Sequence, residues 1–232
     1  MNFYQITKVT SILLFLFSCN GNSQITENKP YTPEQQKIIE EFITNGAKQY
    51  SWNSYEYQEW LDKGLEKDAT IAYLWQQKAM PHFKQRKYEI GMQYIDKAVF
   101  YKEQKYLPYR AFIKCIFSKQ YYEAITDFQK CIDKYGNHYE MDHTYAFYIG
   151  ISYLQLNEFQ KAEKILSQDI DEQINRFGEA HYLDLFYLGI SKYEQKKWEE
   201  AISEFDKSIS KYPEFAEPKY YKAIALMRLE KS

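Results

Sequence analysis

The stretch NHYEMDHTY, residues 137–145, gathers four side chains able to bind a metal ion or move a proton: His138, Glu140, Asp142 and His143. Imidazole nitrogens and carboxylate oxygens are the donors that zinc and related cations take. His181, in GEAHY, stands in the matching connection of the next repeat, on the same expected rim. The spacing within 138–143 fits no recognised zinc pattern, and polar surface loops are routinely rich in such residues, so a solvated loop is the plainer reading. Two serines lie in Gly-Ile-Ser triplets at 150–152 and 189–191, but a nucleophile elbow needs a glycine two residues after the serine, where Leu154 and Tyr193 stand. Cys115 and Cys131 occupy small apolar positions of helical segments and read as core thiols, although an oxidising compartment would permit a bridge. With no phosphate loop, paired carboxylates or Cys–His pair in view, the expectation is a protein that is not an enzyme and carries no cofactor.

The elements that must position these side chains are helical. Of 232 residues, 45% are hydrophobic and 19% aromatic, with 24 Tyr and 15 Phe, enough for a real core. Glycine (8) and proline (6) are scarce, which leaves long runs free to be helix. A formal charge of −2, with no basic stripe, gives no long-range field to gather nucleic acid or an anionic bilayer.

The helices repeat. YIGISYLQLNEFQKAEKIL (148–166) aligns with YLGISKYEQKKWEEAISEF (187–205), so that Gly150 matches Gly189, Phe159 matches Trp198 and Ala162 matches Ala201, each pair 39 residues apart. Upstream, Tyr121, Ala124, Phe128 and Cys131 repeat the second helix, and Tyr88, Gly91, Ile95 and Ala98 repeat it again 33 residues earlier. Leu61 and Gly64 in SYEYQEWLDKGL mark a further second helix, each 34 residues before Ile95 and Ala98. A period of 33 to 39 marks an array of helical pairs. The extra residues DIDEQINRFG (169–178) read as a lengthened connection.

Leu185, Leu188, Gly189, Trp198, Ala201, Phe205, Ser208 and Pro213, in that order, resemble the tetratricopeptide repeat, a helix–turn–helix unit. Trp75 and Ala79, and Ile149 and Gly150, fill first-helix places in other units, whereas Lys192 stands where the family prefers an aromatic. The resemblance implies an all-α fold, an α-α superhelix of antiparallel helix pairs over 32–232, clearest at 70–213, with a capping helix at 217–230. It also implies a concave groove lined by first helices, here Tyr73, Met80, Phe83, Phe112, Phe147, Ile151, Leu154, Phe186, Ile190, Tyr193, Tyr220 and Ile224. Such an apolar, aromatic groove suits an amphipathic helix or extended apolar segment. The competing reading is that these aromatics, at helical spacing, are core.

The N-terminus carries an address. MNFYQITKVTSILLFLFSC has one positive charge, Lys8, and an apolar run, Ile12 to Phe17, far too short to span a bilayer but right for a signal-peptide core. Leu16-Phe17-Ser18-Cys19 resembles the lipobox of bacterial lipoproteins, with Phe17 departing from the usual small residue. That resemblance implies a signal peptide over 1–18, lipidation of Cys19 and a polar tether over 19–31; an ordinary leader is the alternative. Together these features lead to a non-catalytic protein-binding scaffold of the bacterial cell envelope. It would be held to a membrane by its N-terminal lipid, facing the periplasm, with Asn20 favouring the outer membrane. Two rivals stay open: a periplasmic metal-dependent enzyme using the His-rich rim, and a self-associating homo-oligomer whose groove is filled by a second copy.

Overall fold

A computed structural model of the chain describes residues 30–230; the expected signal peptide, Cys19 and all but the last two tether residues lie outside the described residues. The first helix, α1 (Pro33–Ile39), starts at Thr32, whose hydroxyl accepts the Gln35 N–H while the Gln35 side chain accepts the Thr32 N–H. Two otherwise unpaired donors are thus satisfied at once. A π-helical turn, Glu40–Thr44, continues α1, and α2 (Tyr55–Lys67) packs against it. The worn second helix expected at 54–65 is therefore real helix, with Leu61 and Gly64 buried.

Four hairpins follow. They are α3 (Ala72–Lys84) with α4 (Tyr88–Tyr101), α5 (Glu103–Phe112) with α6 (Tyr121–Tyr135), α7 (Tyr145–Gln155) with α8 (Phe159–Phe177), and α9 (Tyr182–Glu194) with α10 (Trp198–Lys211). A π-helical stretch, Ile113–Ser118, carries α5 onward, and α11 (Ala216–Leu229) packs on α10. Each helix contacts the one before and the one after, which makes the chain an all-α solenoid of antiparallel pairs. In the α6–α7 connection, β1 (Tyr139–Glu140) and β2 (His143–Thr144) form a small antiparallel hairpin with Glu140 opposite His143.

Close approach explains the repeated glycines. A Cβ on Gly150 would lie 2.5 Å from Leu166 Cδ2, and one on Gly189 2.6 Å from Phe205 Cε1. In both hairpins the second helix fills the notch that the first leaves open. The turns repeat as well, without glycine: Arg86, Lys119, Asn157 and Lys196 each take a left-handed backbone at the tip of a hairpin, with φ of 59°, 60°, 59° and 63°.

Polar side chains staple the pairs. Arg110 of α5 donates through Nε and Nη2 to the two oxygens of buried Asp127 on α6, at 2.8 and 2.7 Å. Lys114 adds a third contact to Asp127 at 2.8 Å, and Arg110 Nη1 reaches Asp96 of α4 at 2.7 Å. Lys192, the departure from the family pattern, is accommodated in the same way: its Nζ lies 2.9 Å from Glu204 on α10. Cys115 and Cys131 are free and buried, and burial pushes their thiols up to about 11 and about 12. Among the described residues no helix is long and apolar enough to cross a membrane.

One expectation is corrected. Residues 169–177 do not lengthen a connection but extend α8 to 19 residues. Ile170 and Gln173 stay on its buried face, so the helical register simply continues for two more turns.

Candidate functional site

The extension of α8 reaches the edge of the solenoid where the α6–α7 and α8–α9 connections meet. Thr144 caps α7, its hydroxyl accepting the Phe147 N–H at 3.0 Å, and the residue before it, His143, is thereby fixed at the rim. His143 stacks on Phe147 with ring centroids 4.0 Å apart. His181 caps α9, and Asp184 sits one turn in, the i,i+3 spacing that puts two side chains on one face of a helix. The two imidazoles meet edge to face, centroids 5.2 Å apart.

These three residues converge. Asp184 is 1% exposed, and its Oδ2 lies 3.6 Å from His143 Nδ1 and 3.5 Å from His181 Nδ1. Both separations exceed hydrogen-bond length, and Oδ2 has no hydrogen-bond partner. One donor atom from each of His143, His181 and Asp184 falls within 4.8 Å of the others. With zinc bonds near 2.0–2.2 Å, neighbouring ligand atoms of a tetrahedral site lie about 3.3–3.6 Å apart; both Asp184–imidazole distances match, and the widest donor separation, up to 4.8 Å, would have to close by about 1 Å. Ligation through His181 Nδ1 would replace its 3.3 Å bond from the Leu183 N–H.

Behind the three residues is a polar support. Gln173 Nε2 donates to Asp184 Oδ1 at 2.7 Å and to Asp169 Oδ2 at 2.9 Å, while its Oε1 accepts the His181 N–H at 3.1 Å. Thr144 and Asn137 also donate to Asp169, at 2.7 and 2.8 Å. Burial works to raise Asp184, but the two nearby imidazoles and the Gln173 hydrogen bond outweigh it and hold the carboxyl below its usual range. Asp169, raised by burial and by the nearby Asp184 charge, stands above that range in spite of its hydrogen bonds. The pair thus keeps one carboxylate firmly charged at the histidines.

Of the four metal candidates in 137–145, only His143 belongs to this cluster. His138 packs edge-on to Tyr145, with centroids 6.4 Å apart, and Asp142 is exposed at the tip of the β-hairpin. Glu140 serves elsewhere: its carboxyl acts on Tyr109 of α5 and Cys131 of α6, and burial raises it to about 7. The hairpin is the physical reason, since its first strand lies against α5 and its second leads into α7. Asp184 went unnoticed because it is an ordinary polar residue in a helical first turn; the signal was its spacing from His181.

The expected groove is corrected at four positions. Phe83, Phe147, Leu154 and Phe186 are buried, not open surface. Phe147 is enclosed by His143 and Tyr187, and Phe186 by Phe205, Phe215 and Tyr221. Tyr73, Met80, Phe112, Ile151, Ile190, Tyr193 and Ile224 are half-buried, and Tyr220 is exposed. Met80 accepts a 2.8 Å contact from the Tyr109 hydroxyl, and Phe112 stands edge-on to Tyr148.

Comparison with known proteins agrees with this architecture. Residues 185–214, which hold most of α9 and all of α10, match the tetratricopeptide repeat family. Among solved structures, a tetratricopeptide repeat protein from Parabacteroides merdae is 16% identical, with a TM-score of 0.65 over 86% of this chain and 75% of its own. YrrB, a repeat protein with an unusual peptide-binding site, is 17% identical, with a TM-score of 0.55 over 73% of this chain and 84% of its own. PilW, a widely conserved type IV pilus biogenesis factor, is 14% identical, with a TM-score of 0.55 over 86% of this chain and 91% of its own. No curated protein matches the chain. The fold is that of the tetratricopeptide repeat solenoid.

Proposed function

We propose that this chain is a non-catalytic repeat scaffold that holds another protein, and that a divalent transition metal of the zinc type, held by His143, His181 and Asp184, braces its rim. The carrying observation is the buried Asp184 Oδ2, without a hydrogen bond and facing two imidazoles at 3.5 and 3.6 Å. A buried carboxylate oxygen left without a partner is costly, and a cation between it and the two nitrogens removes that cost. The three donors come from the connection before α7 and from the start of α9, so ligation ties consecutive hairpins together. The solenoid supplies a long surface, and YrrB, which shares the fold, is described as having a peptide-binding site. The leader and Cys19 add a lipid-anchored, envelope location facing the periplasm, on the outer membrane by the Asn20 criterion; the likeness to a pilus biogenesis factor is compatible with it.

One observation favours a second reading, a metal-dependent enzyme at the same rim: three protein donors, one of them on a half-exposed histidine, are also the donor count of catalytic zinc. The first experiment serves both. Zinc is titrated into the chelator-treated chain and into His143→Ala/His181→Ala, by calorimetry and by metal analysis after gel filtration. One zinc per chain, lost in the double variant, supports the site. At a hundredfold excess over Kd it should raise the unfolding free energy by about 2.7 kcal/mol. Equal zinc uptake by both proteins refutes the site. Turnover of ester or peptide substrates by the zinc-loaded form, absent from the double variant, would move the enzyme reading ahead of the scaffold.

A further inference from the structure

Resting on the metal reading, we propose that Gln173 is the positioning residue of the site: its amide holds Asp184 to ligation through one oxygen and ties together the two connections that carry the histidines. Gln173 touches no ion itself. It acts through Asp184, His181 and Asp169.

Gln173 is 7% exposed, and both polar atoms of its side chain are engaged. Nε2 donates one proton to Asp184 Oδ1 at 2.7 Å and the other to Asp169 Oδ2 at 2.9 Å. Oε1 accepts the His181 N–H at 3.1 Å. Two carboxylates and one backbone donor fix the amide in this orientation, because the reverse would aim a carbonyl oxygen at two anions.

With Oδ1 taken, Asp184 has one oxygen left to offer. That atom, Oδ2, is the one facing the imidazoles at 3.6 and 3.5 Å. A carboxylate free at both oxygens can chelate a cation through the pair, as calcium sites do. Held at Oδ1, it presents a single donor, which suits a four-coordinate ion of the zinc type.

The amide also spans the donor set. His181 and Asp184 stand at the start of α9, whereas His143 comes from the connection before α7. Gln173 bonds the first two residues directly. One turn back on α8 it holds Asp169, and the Thr144 hydroxyl donates to the same Asp169 oxygen at 2.7 Å. Thr144 follows His143 in the chain and caps α7. Asn137, from the same connection, donates to the other Asp169 oxygen at 2.8 Å. The extension of α8 thus holds both sides of the proposed ion from behind.

The test compares the full-length chain in detergent with Gln173→Met, which keeps the stem and removes all three bonds, and with Gln173→Asn, whose amide falls short of Asp184. Zinc affinity is measured by calorimetry after chelator treatment, and the visible band of the cobalt(II) form reports coordination number. Groups that orient a metal ligand typically change affinity 10- to 100-fold, so both variants should bind zinc about 10- to 100-fold more weakly. Their cobalt band should also lose intensity, as Asp184 regains its second oxygen and the coordination number rises. Arg110→Met, which loosens the fold at α5 and α6, is the control and should keep native affinity and a native band. Native zinc affinity or an unchanged cobalt band in the Gln173 variants overturns the inference while the metal site stands. An equal loss in Arg110→Met traces the effect to stability and overturns it as well, as does failure of both Gln173 variants to fold. If the native chain takes up no zinc, or His143→Ala/His181→Ala binds it equally, the metal reading falls and this inference with it.

Discussion

Asp127 on α6 and Asp184 on α9 are carboxylates at corresponding depths of one repeat array, both closed off from solvent. Around Asp127, Arg110 grips both oxygens and Lys114 takes a second contact on one of them. Around Asp184, a single amide from Gln173 reaches Oδ1, and Oδ2 faces two imidazoles beyond hydrogen-bond distance. The two sites separate what burial of a charge can be for. Saturated with cations from its own chain, a carboxylate is a fastener. Left short of one partner, with two imidazole nitrogens facing it, it is where the proposed cation would sit.

The largest expected effect breaks the first half of this contrast. Arg110→Met leaves Asp127 buried with Lys114 alone and should cost about 3 kcal/mol of stability in urea unfolding, with zinc affinity unchanged. His181→Ala should do the opposite, weakening zinc binding while changing metal-free stability by about 1 kcal/mol, since its side chain is half-exposed and its bond from the Leu183 N–H is long. If Arg110→Met were harmless, Asp127 would not be the fastener described.

A smaller effect sharpens the contrast within the β-hairpin itself. Glu140 is raised to about 7 by burial, so its folded value lies above its ordinary one. Such a carboxyl penalises the fold once ionised: the penalty is absent below the ordinary range near pH 4.5 and full above about pH 7. Stability should therefore rise as pH falls from 8 to 5, and Glu140→Gln should flatten that slope. Since Glu140 is only half-buried, the gain at pH 8 should be about 1–2 kcal/mol, read from urea midpoints across the pH range.

The smallest effect lies in the turns. Lys196 holds φ at 63° at the tip of the last hairpin, where glycine pays no steric cost. Lys196→Gly should stabilise by about 0.5–1 kcal/mol, without touching either carboxylate. A loss of stability would mean that the Lys196 side chain contributes more than its backbone costs.

Much of the architecture was legible because a repeat writes itself twice. Gly150 and Gly189 stand 39 apart, and each meets a large residue of its partner helix, Leu166 or Phe205. Even Leu61 and Gly64, in the most worn unit, kept the spacing and the burial. The groove was less legible, because residues such as Phe147 and Ile151 share one helix face, and only the neighbouring hairpin decides how much of that face is covered. The end of α8 was missed because DIDEQINRF is polar and contains neither glycine nor proline to mark helix from loop. The metal candidates were half legible. His143 and His181 were placed on one rim by the repeat, but Asp184 belongs with them only through the meeting of two connections, which no single stretch of sequence records.

The two extra turns of α8 also bear on stoichiometry. An array of identical junctions offers a visitor several equivalent seats, and nothing in the fold says which to take. A 19-residue helix beside partners of 14 and 15 residues breaks that translational symmetry once. It carries Asp169 and Gln173 to one junction alone. On the scaffold reading, one molecule of this protein has a single marked seat, and whatever it organises would be counted one per chain, however many hairpins the array contains.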